Sequence, residues 1–168
     1  YIEDFNENIR AGCEYKLFSS EPKRQQKLLK NTPRILKHPK FSHKLEGLLK
    51  KKLIQVDHII VPVRNLKDAA KSRIKAGRRW KIKGLDSQEQ VLAWALGKIT
   101  ATAIEHNIPI TYIHYPKLIQ DPDYCFNKLN PIFKLNKNKF YKEYNKLAGA
   151  KKIKQEINLL KKIFYKLT

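Results

Sequence analysis

The run Asp57-His58-Ile59-Ile60-Val61-Pro62-Val63 restricts the choice of fold more than any other part of the chain. It is short, apolar from Ile59 onward and rich in β-branched residues. Such a run reads as a strand buried on both faces, the kind found in parallel sheets covered by helices. The preference then reverses almost at once. Arg64 ends the run, Asn65 can cap a helix, and Asp68 stands three residues further on. A buried strand that gives way directly to a capped helix is the local signature of an α/β unit.

The remaining segments extend that pattern. A short helix is expected over 21–30 with Ser20 as its cap, and a short strand over Arg34-Ile35-Leu36-Lys37 before Pro39. Phe41, Leu45, Leu48 and Leu49 fall at helical spacing and give one apolar face. The helix after Asn65 carries Ala69, Ala70 and Ala76 and is expected to stop near Gly77. Ser87 and Gln90 form a capping-box pattern that opens a long helix through Val91, Ala95, Ile99 and Ala103 to about Asn107. Residues 108–115 read as a second apolar strand. Asp121-Pro122-Asp123 combines a cap, a first-turn proline and an acid at the positive end of the dipole, and starts a helix with Phe126, Leu129 and Phe133. The last segment is Lys-rich and places Ile153, Ile157, Leu160, Phe164 and Leu167 on one helical stripe. Strands separated by helices imply parallel pairing. The expected architecture is a single α/β domain over 1–168, a parallel sheet flanked by helices.

In open α/β sheets ligands bind at the carboxyl ends of the strands. Arg64 stands at such an end, and Ser72 lies two helical turns beyond it. An arginine fork and a serine hydroxyl are both suited to phosphate oxygens. The stretch Arg64-Asn65-Leu66-Lys67-Asp68-Ala69-Ala70-Lys71-Ser72, preceded by its strand, resembles the 3′-phosphate-binding motif of the sulfotransferases. Ile35-Leu36-Lys37-His38-Pro39 resembles that family's strand ending in a Lys/His turn. Tyr112-Ile113-His114-Tyr115-Pro116-Lys117-Leu118, followed by Asp121-Pro122, resembles its late strand and helix start. The likeness spans about residues 31–135.

The resemblance implies a P-loop NTPase-like topology with 3′-phosphoadenosine 5′-phosphosulfate as co-substrate. It implies that Arg64 and Ser72 hold the 3′-phosphate. His38 would take the proton of an acceptor hydroxyl or amine, Lys37 would neutralise charge on the transferred group, and no metal would be required. The chain departs from the family pattern at Leu66, which replaces a proline, and at Pro116, which replaces a glutamate. Lys37 and His38 are adjacent, so an extended chain would point them to opposite sides. Residues 1–30 hold no Gly/Ser/Thr loop for the 5′-phosphosulfate; Gly12 lacks a following Lys-Ser/Thr. The N-terminal strand and its phosphate loop are therefore expected to be missing, and the chain, which opens on Tyr1, is expected to be truncated there.

Lys and Arg number 36 against 15 Asp and Glu, a net charge of +21. That balance favours anionic partners, a nucleotide first. It also supports a second reading, in which a degenerate scaffold is a non-catalytic module that binds nucleotide or nucleic acid. Nucleic acid is the less favoured ligand, because the basic residues are mostly Lys and aromatic interleaving is poor. Trp80 and Trp94 are expected in core packing rather than against an adenine. Cys13 and Cys125 form no metal-spaced pair and no disulfide framework, which makes a reducing cytoplasmic setting the default. No apolar run approaches the length of a membrane span.

Overall fold

The computed structural model describes residues 23, 27, 35–37, 41–75 and 85–147. They belong to two compact units, Tyr1–Asp57 with Arg79–Pro109, and His58–Arg78 with Ile110–Thr168. His38, Gly77, Trp80 and the C-terminal stripe from Ile153 to Leu167 lie outside the described residues. The chain is a mixed α/β protein with a small parallel sheet.

In the first unit, Lys23 and Lys27 are helical and exposed. Lys37 forms an isolated bridge after a bend at Ile35, rather than part of a continuous strand. Helix α1 spans Phe41–Lys50 and buries Leu45 and Leu48, as its apolar spacing requires. The chain then leaves α1 through Lys52 at φ 52. The Leu53 N–H bonds the Leu48 carbonyl at 2.9 Å and the Lys52 N–H bonds the Leu49 carbonyl at 2.8 Å. These are the paired bonds of a Schellman motif, formed here without glycine.

The long helix of this unit, introduced here as α3, spans Leu85–Glu105. It starts before Ser87, so Ser87 sits within its first turn instead of capping it. Helix α3 packs on α1, and Ile99, Ala103 and Ile108 are buried together with Leu45 and Leu48. Thr102 is 3 % exposed, and its hydroxyl donates to the Lys98 carbonyl at 2.9 Å, so this hydroxyl is not buried bare. Asn107 at φ 51 ends the run, with Ile108 N–H on Ala103 O and Asn107 N–H on Ile104 O, a second Schellman motif.

The second unit contains the sheet. Strand β1 is Ile59–Val63 and strand β2 is Ile110–His114. They run parallel, with Ile59 opposite Ile110 and Val63 opposite His114. The second strand is shorter than the expected 108–115 for a local reason. The Ile108 N–H is already used at the end of α3, and Pro109 has no N–H to give. The first strand shortens to match. Its residues are half-buried and Pro62 is exposed, so the expected burial on both faces is not met in this sheet of two strands.

Helix α2, Leu66–Lys75, follows β1 directly and buries Ala70 completely. The short helix α4, Lys117–Gln120, leads from β2 into α5, Pro122–Phe133. Asp121 caps α5, its carboxylate accepting the Tyr124 N–H at 2.8 Å. Lys134 ends α5 at φ 49 in the left-handed region, and Asn130 Oδ1 takes the Leu135 N–H at 2.9 Å. A further helical run occupies 137–147; Asn136 caps it through the Lys139 N–H at 3.0 Å. The Tyr141 hydroxyl of this run donates to Asp123 of α5, a bond that pushes its pKa up to about 12. Ile113 and Cys125 form the buried centre of this unit.

Candidate functional site

The site is built at the carboxyl ends of β1 and β2, and the parallel register creates it. Val63 faces His114, so the residues just beyond them, Arg64 and Tyr115, leave the sheet side by side. The ladder runs one bond further, with the Tyr115 N–H on the Val63 carbonyl at 2.7 Å. The Tyr115–Pro116 peptide is cis. The Arg64 guanidinium lies over the Tyr115 ring, 5.0 Å from its centroid. Such stacking uses the face of the guanidinium. Its N–H donors point outward in the plane and stay available to an oxyanion.

Asn65 fixes the turn that follows. Its side-chain oxygen accepts the Asp68 N–H at 3.1 Å, and its carbonyl accepts the Ala69 N–H at 3.0 Å. This is the cap that the residue order predicts, and it starts α2 immediately after Arg64. The capping bond uses the Asp68 backbone N–H and leaves its carboxylate out. Neither it nor any other carboxylate among the described residues pairs with Arg64. Ser72 is on α2 and exposed. Thr100 and Thr102 of α3 turn their hydroxyls back to the carbonyl four residues earlier, but Ser72 makes no such bond.

A second cation stands nearby in the chain. Lys117 Nζ is 5.7 Å from the centroid of the Tyr124 ring, and the Tyr124 hydroxyl accepts the His114 N–H at 2.9 Å. Tyr124 thus joins the end of β2 to the capped start of α5. A hollow of about 580 Å³ in this unit is bordered by His58, Thr111, His114, Asn127 and Lys128. His58 Nε2 and Thr111 Oγ1 share a hydrogen bond of 2.8 Å there.

Of the expected site residues, Arg64 and Ser72 lie in one unit, on the turn and the helix that follow β1. Lys37 is exposed in the other unit, and His38 is outside the described residues. Trp94 differs from its expected role in the core. It is 53 % exposed and stacks on His43 at 5.0 Å, because α3 turns Ile99 and Ala103 inward and carries Trp94 toward solvent. The part played by Tyr115 has no signal in the local sequence. Only the strand register brings it to Arg64, and the order of residues in each segment does not contain that register. Among the described residues no cluster of three or more His, Cys, Asp or Glu could hold a metal ion. No helix there is long and apolar enough to cross a membrane. No protein-family model matches the chain, and neither does any curated protein or solved structure.

Proposed function

We propose that the edge formed by Arg64, Asn65 and the start of α2 binds the 3′-phosphate of 3′-phosphoadenosine 5′-phosphosulfate, on a sulfotransferase-like scaffold of P-loop NTPase-like topology. The observation that carries the reading is the state of Arg64. It is exposed, braced by an aromatic ring, and matched by no carboxylate among the described residues. A guanidinium held in this way at the end of a strand has its donors directed outward with little entropy left to lose on binding. The first turn of α2 adds a positive potential, which Asp68 moderates.

In the proposed reaction an acceptor hydroxyl or amine attacks the sulfur. The bridging bond between sulfur and the phosphate oxygen breaks, and adenosine 3′,5′-bisphosphate leaves with the electron pair. His38 takes the acceptor proton, and Lys37 offsets charge on the transferred group. Ser72 adds a hydroxyl donor to the 3′-phosphate. Residues 1–30 hold no Gly/Ser/Thr loop for the 5′-phosphosulfate.

The test is selective stabilisation. Adenosine 3′,5′-bisphosphate should raise the melting temperature of the chain by mass action, and AMP should raise it less at equal concentration. Equal shifts would remove the 3′-phosphate site. Binding of single-stranded nucleic acid with a steep salt dependence, and no preference between the two nucleotides, would favour the non-catalytic basic module instead.

A further inference from the structure

The hollow of about 580 Å³ in the second unit is bordered by groups that suit one kind of ligand. Both strands and one helix position them. His58 stands one residue before β1, and Thr111 is the second residue of β2. The register that sets Ile59 opposite Ile110 brings these two side chains within a hydrogen bond, 2.8 Å from Nε2 to Oγ1. His114 ends β2. Helix α5 packs against β2 and brings Asn127 and Lys128, with Pro131 and Ile132 one turn later on the same face.

The polar part of this border is one-sided. It holds two imidazoles, an ammonium, an amide and a hydroxyl, and neither Asp nor Glu. Each of these groups can donate a hydrogen bond. Three of them are uncommitted. Among the described residues the side chains of His114, Asn127 and Lys128 make no hydrogen bond and no ion pair, and His114 is bonded through its backbone N–H alone. A donor-rich concavity with a cation and no counterion in its own border raises the local concentration of anions. The His58–Thr111 bond adds a means of aiming. With a hydrogen on Nε2, His58 donates to Thr111 Oγ1, and the hydroxyl hydrogen is left to turn into the hollow. An anion there selects this arrangement over the reverse.

The rest of the border is apolar, from Ile110, Pro131 and Ile132. A bare inorganic ion would leave that wall uncovered. The volume also lies within the roughly 300–1,000 Å³ of small-molecule sites. We propose that this hollow binds a small organic oxyanion. Its phosphate or carboxylate head meets Thr111, His114, Asn127 and Lys128, and its apolar body lies on Ile110, Pro131 and Ile132. Arg64 and Ser72 contribute nothing to this border, so the site does not depend on a nucleotide at the end of β1.

Titration of the full chain with phenyl phosphate and with benzoate, followed by NMR of the histidine imidazoles, tests this. Both anions should shift the His58 and His114 signals saturably, and the tighter of the two identifies the head. Benzyl alcohol, the uncharged control, should leave the signals in place, and inorganic phosphate should bind more weakly than phenyl phosphate. Lys128→Ala should weaken the binding of both organic anions about tenfold, as expected for one charged hydrogen bond at an exposed site. Thr111→Val keeps the branched shape and should weaken it severalfold, with thermal unfolding confirming a folded chain. Arg64→Ala should leave the titration unchanged. The absence of saturable shifts at millimolar anion overturns the proposal, as does an equal response to benzyl alcohol or an unchanged affinity in Lys128→Ala. Loss of the shifts in Arg64→Ala overturns it too, and would place the anion at the end of β1.

Discussion

The two units treat charge in opposite ways. On α1 and α3, four charged side chains pair with one another. Glu46 accepts from Lys50 at 2.6 Å and from Lys98, and Lys50 also reaches Glu105 at 3.2 Å. At the end of β1, Arg64 is supported by a ring and by no carboxylate among the described residues. The first arrangement joins two helices; the second leaves a cation stacked on a ring, with no carboxylate partner among the described residues. A high positive charge does not by itself distinguish the two cases. Lys67, Lys71 and Lys75 on α2 also have no carboxylate partner among the described residues, so what sets Arg64 apart from them is its place at the end of β1 over the Tyr115 ring.

The largest effect that could break this comparison comes from the cores. Ile113 is 2 % exposed in the second unit and Leu45 is 4 % exposed in the first. Truncation of either to Ala should cost about 2–5 kcal/mol. If the units are energetically separate, calorimetry of Ile113→Ala should show one transition lowered and another in place, and Leu45→Ala should show the reverse. A single transition lowered by both would show one cooperative body, and the contrast drawn above would then be local to side chains only.

Next comes Arg64→Ala. Removing a charged hydrogen-bonding partner of a phosphate costs about 1.5–3 kcal/mol. At 1.4 kcal/mol per tenfold, the affinity for adenosine 3′,5′-bisphosphate should fall by about ten- to a hundredfold. Affinity for AMP should change less, and the melting temperature without ligand should barely move, since the side chain is exposed. Isothermal titration of both nucleotides reads the difference. A large loss of stability with unchanged nucleotide binding would make Arg64 a structural residue like Glu46.

A smaller effect is expected at Asp121, which accepts the Tyr124 N–H at 2.8 Å and starts α5. Asp121→Ala should lower stability by about 0.5–2 kcal/mol. It should also loosen the Tyr124 hydroxyl from the His114 N–H, which hydrogen exchange at His114 can follow. Unchanged exchange there would separate the helix cap from the edge of the sheet.

These sites differ in how far the order of residues discloses them. Asn65 and Asp121 are legible because a cap joins a side chain to a backbone N–H three residues away. The helix face of Leu45 and Leu48 is legible for a similar reason, since its period is local. Parallel pairing follows from strands that alternate with helices. Tyr115 under Arg64 is not legible, because it depends on a register between strands far apart in the chain. Lys98 on Glu46 is hidden in the same way, although Lys50, one turn along the same helix, is not. The ends of α1 and α5 are also obscure. Lysine rarely adopts the left-handed conformation found at Lys52 and Lys134, whereas Asn107 takes it readily and marks its helix end. The start of α3 before Ser87 shows that a capping-box pattern can lie inside a helix instead of at its boundary.

The smallest expected effect sharpens the comparison most directly, because it depends on charge alone. Hydrogen bonds from Lys50 and then Lys98 lower the Glu46 carboxyl from 4.5 to about 2. A carboxyl depressed in the folded state stabilises the protein above its unfolded pKa, and that contribution is lost as pH falls through the folded one. The stabilisation from Glu46 should therefore be complete above about pH 4.5 and disappear progressively toward pH 2. Glu46→Gln should flatten the acid limb of the stability curve within that window. Because the pair is near the surface, the effect should be small and should shrink further in high salt. Arg64→Ala should leave the same limb unchanged, since among the described residues Arg64 is paired with no carboxylate whose titration could report on it. Chemical denaturation of both variants across pH 2–5 checks this. A change in the acid limb of Arg64→Ala would reveal a carboxylate at the β1 edge, and would place that edge in the same class as α1 and α3.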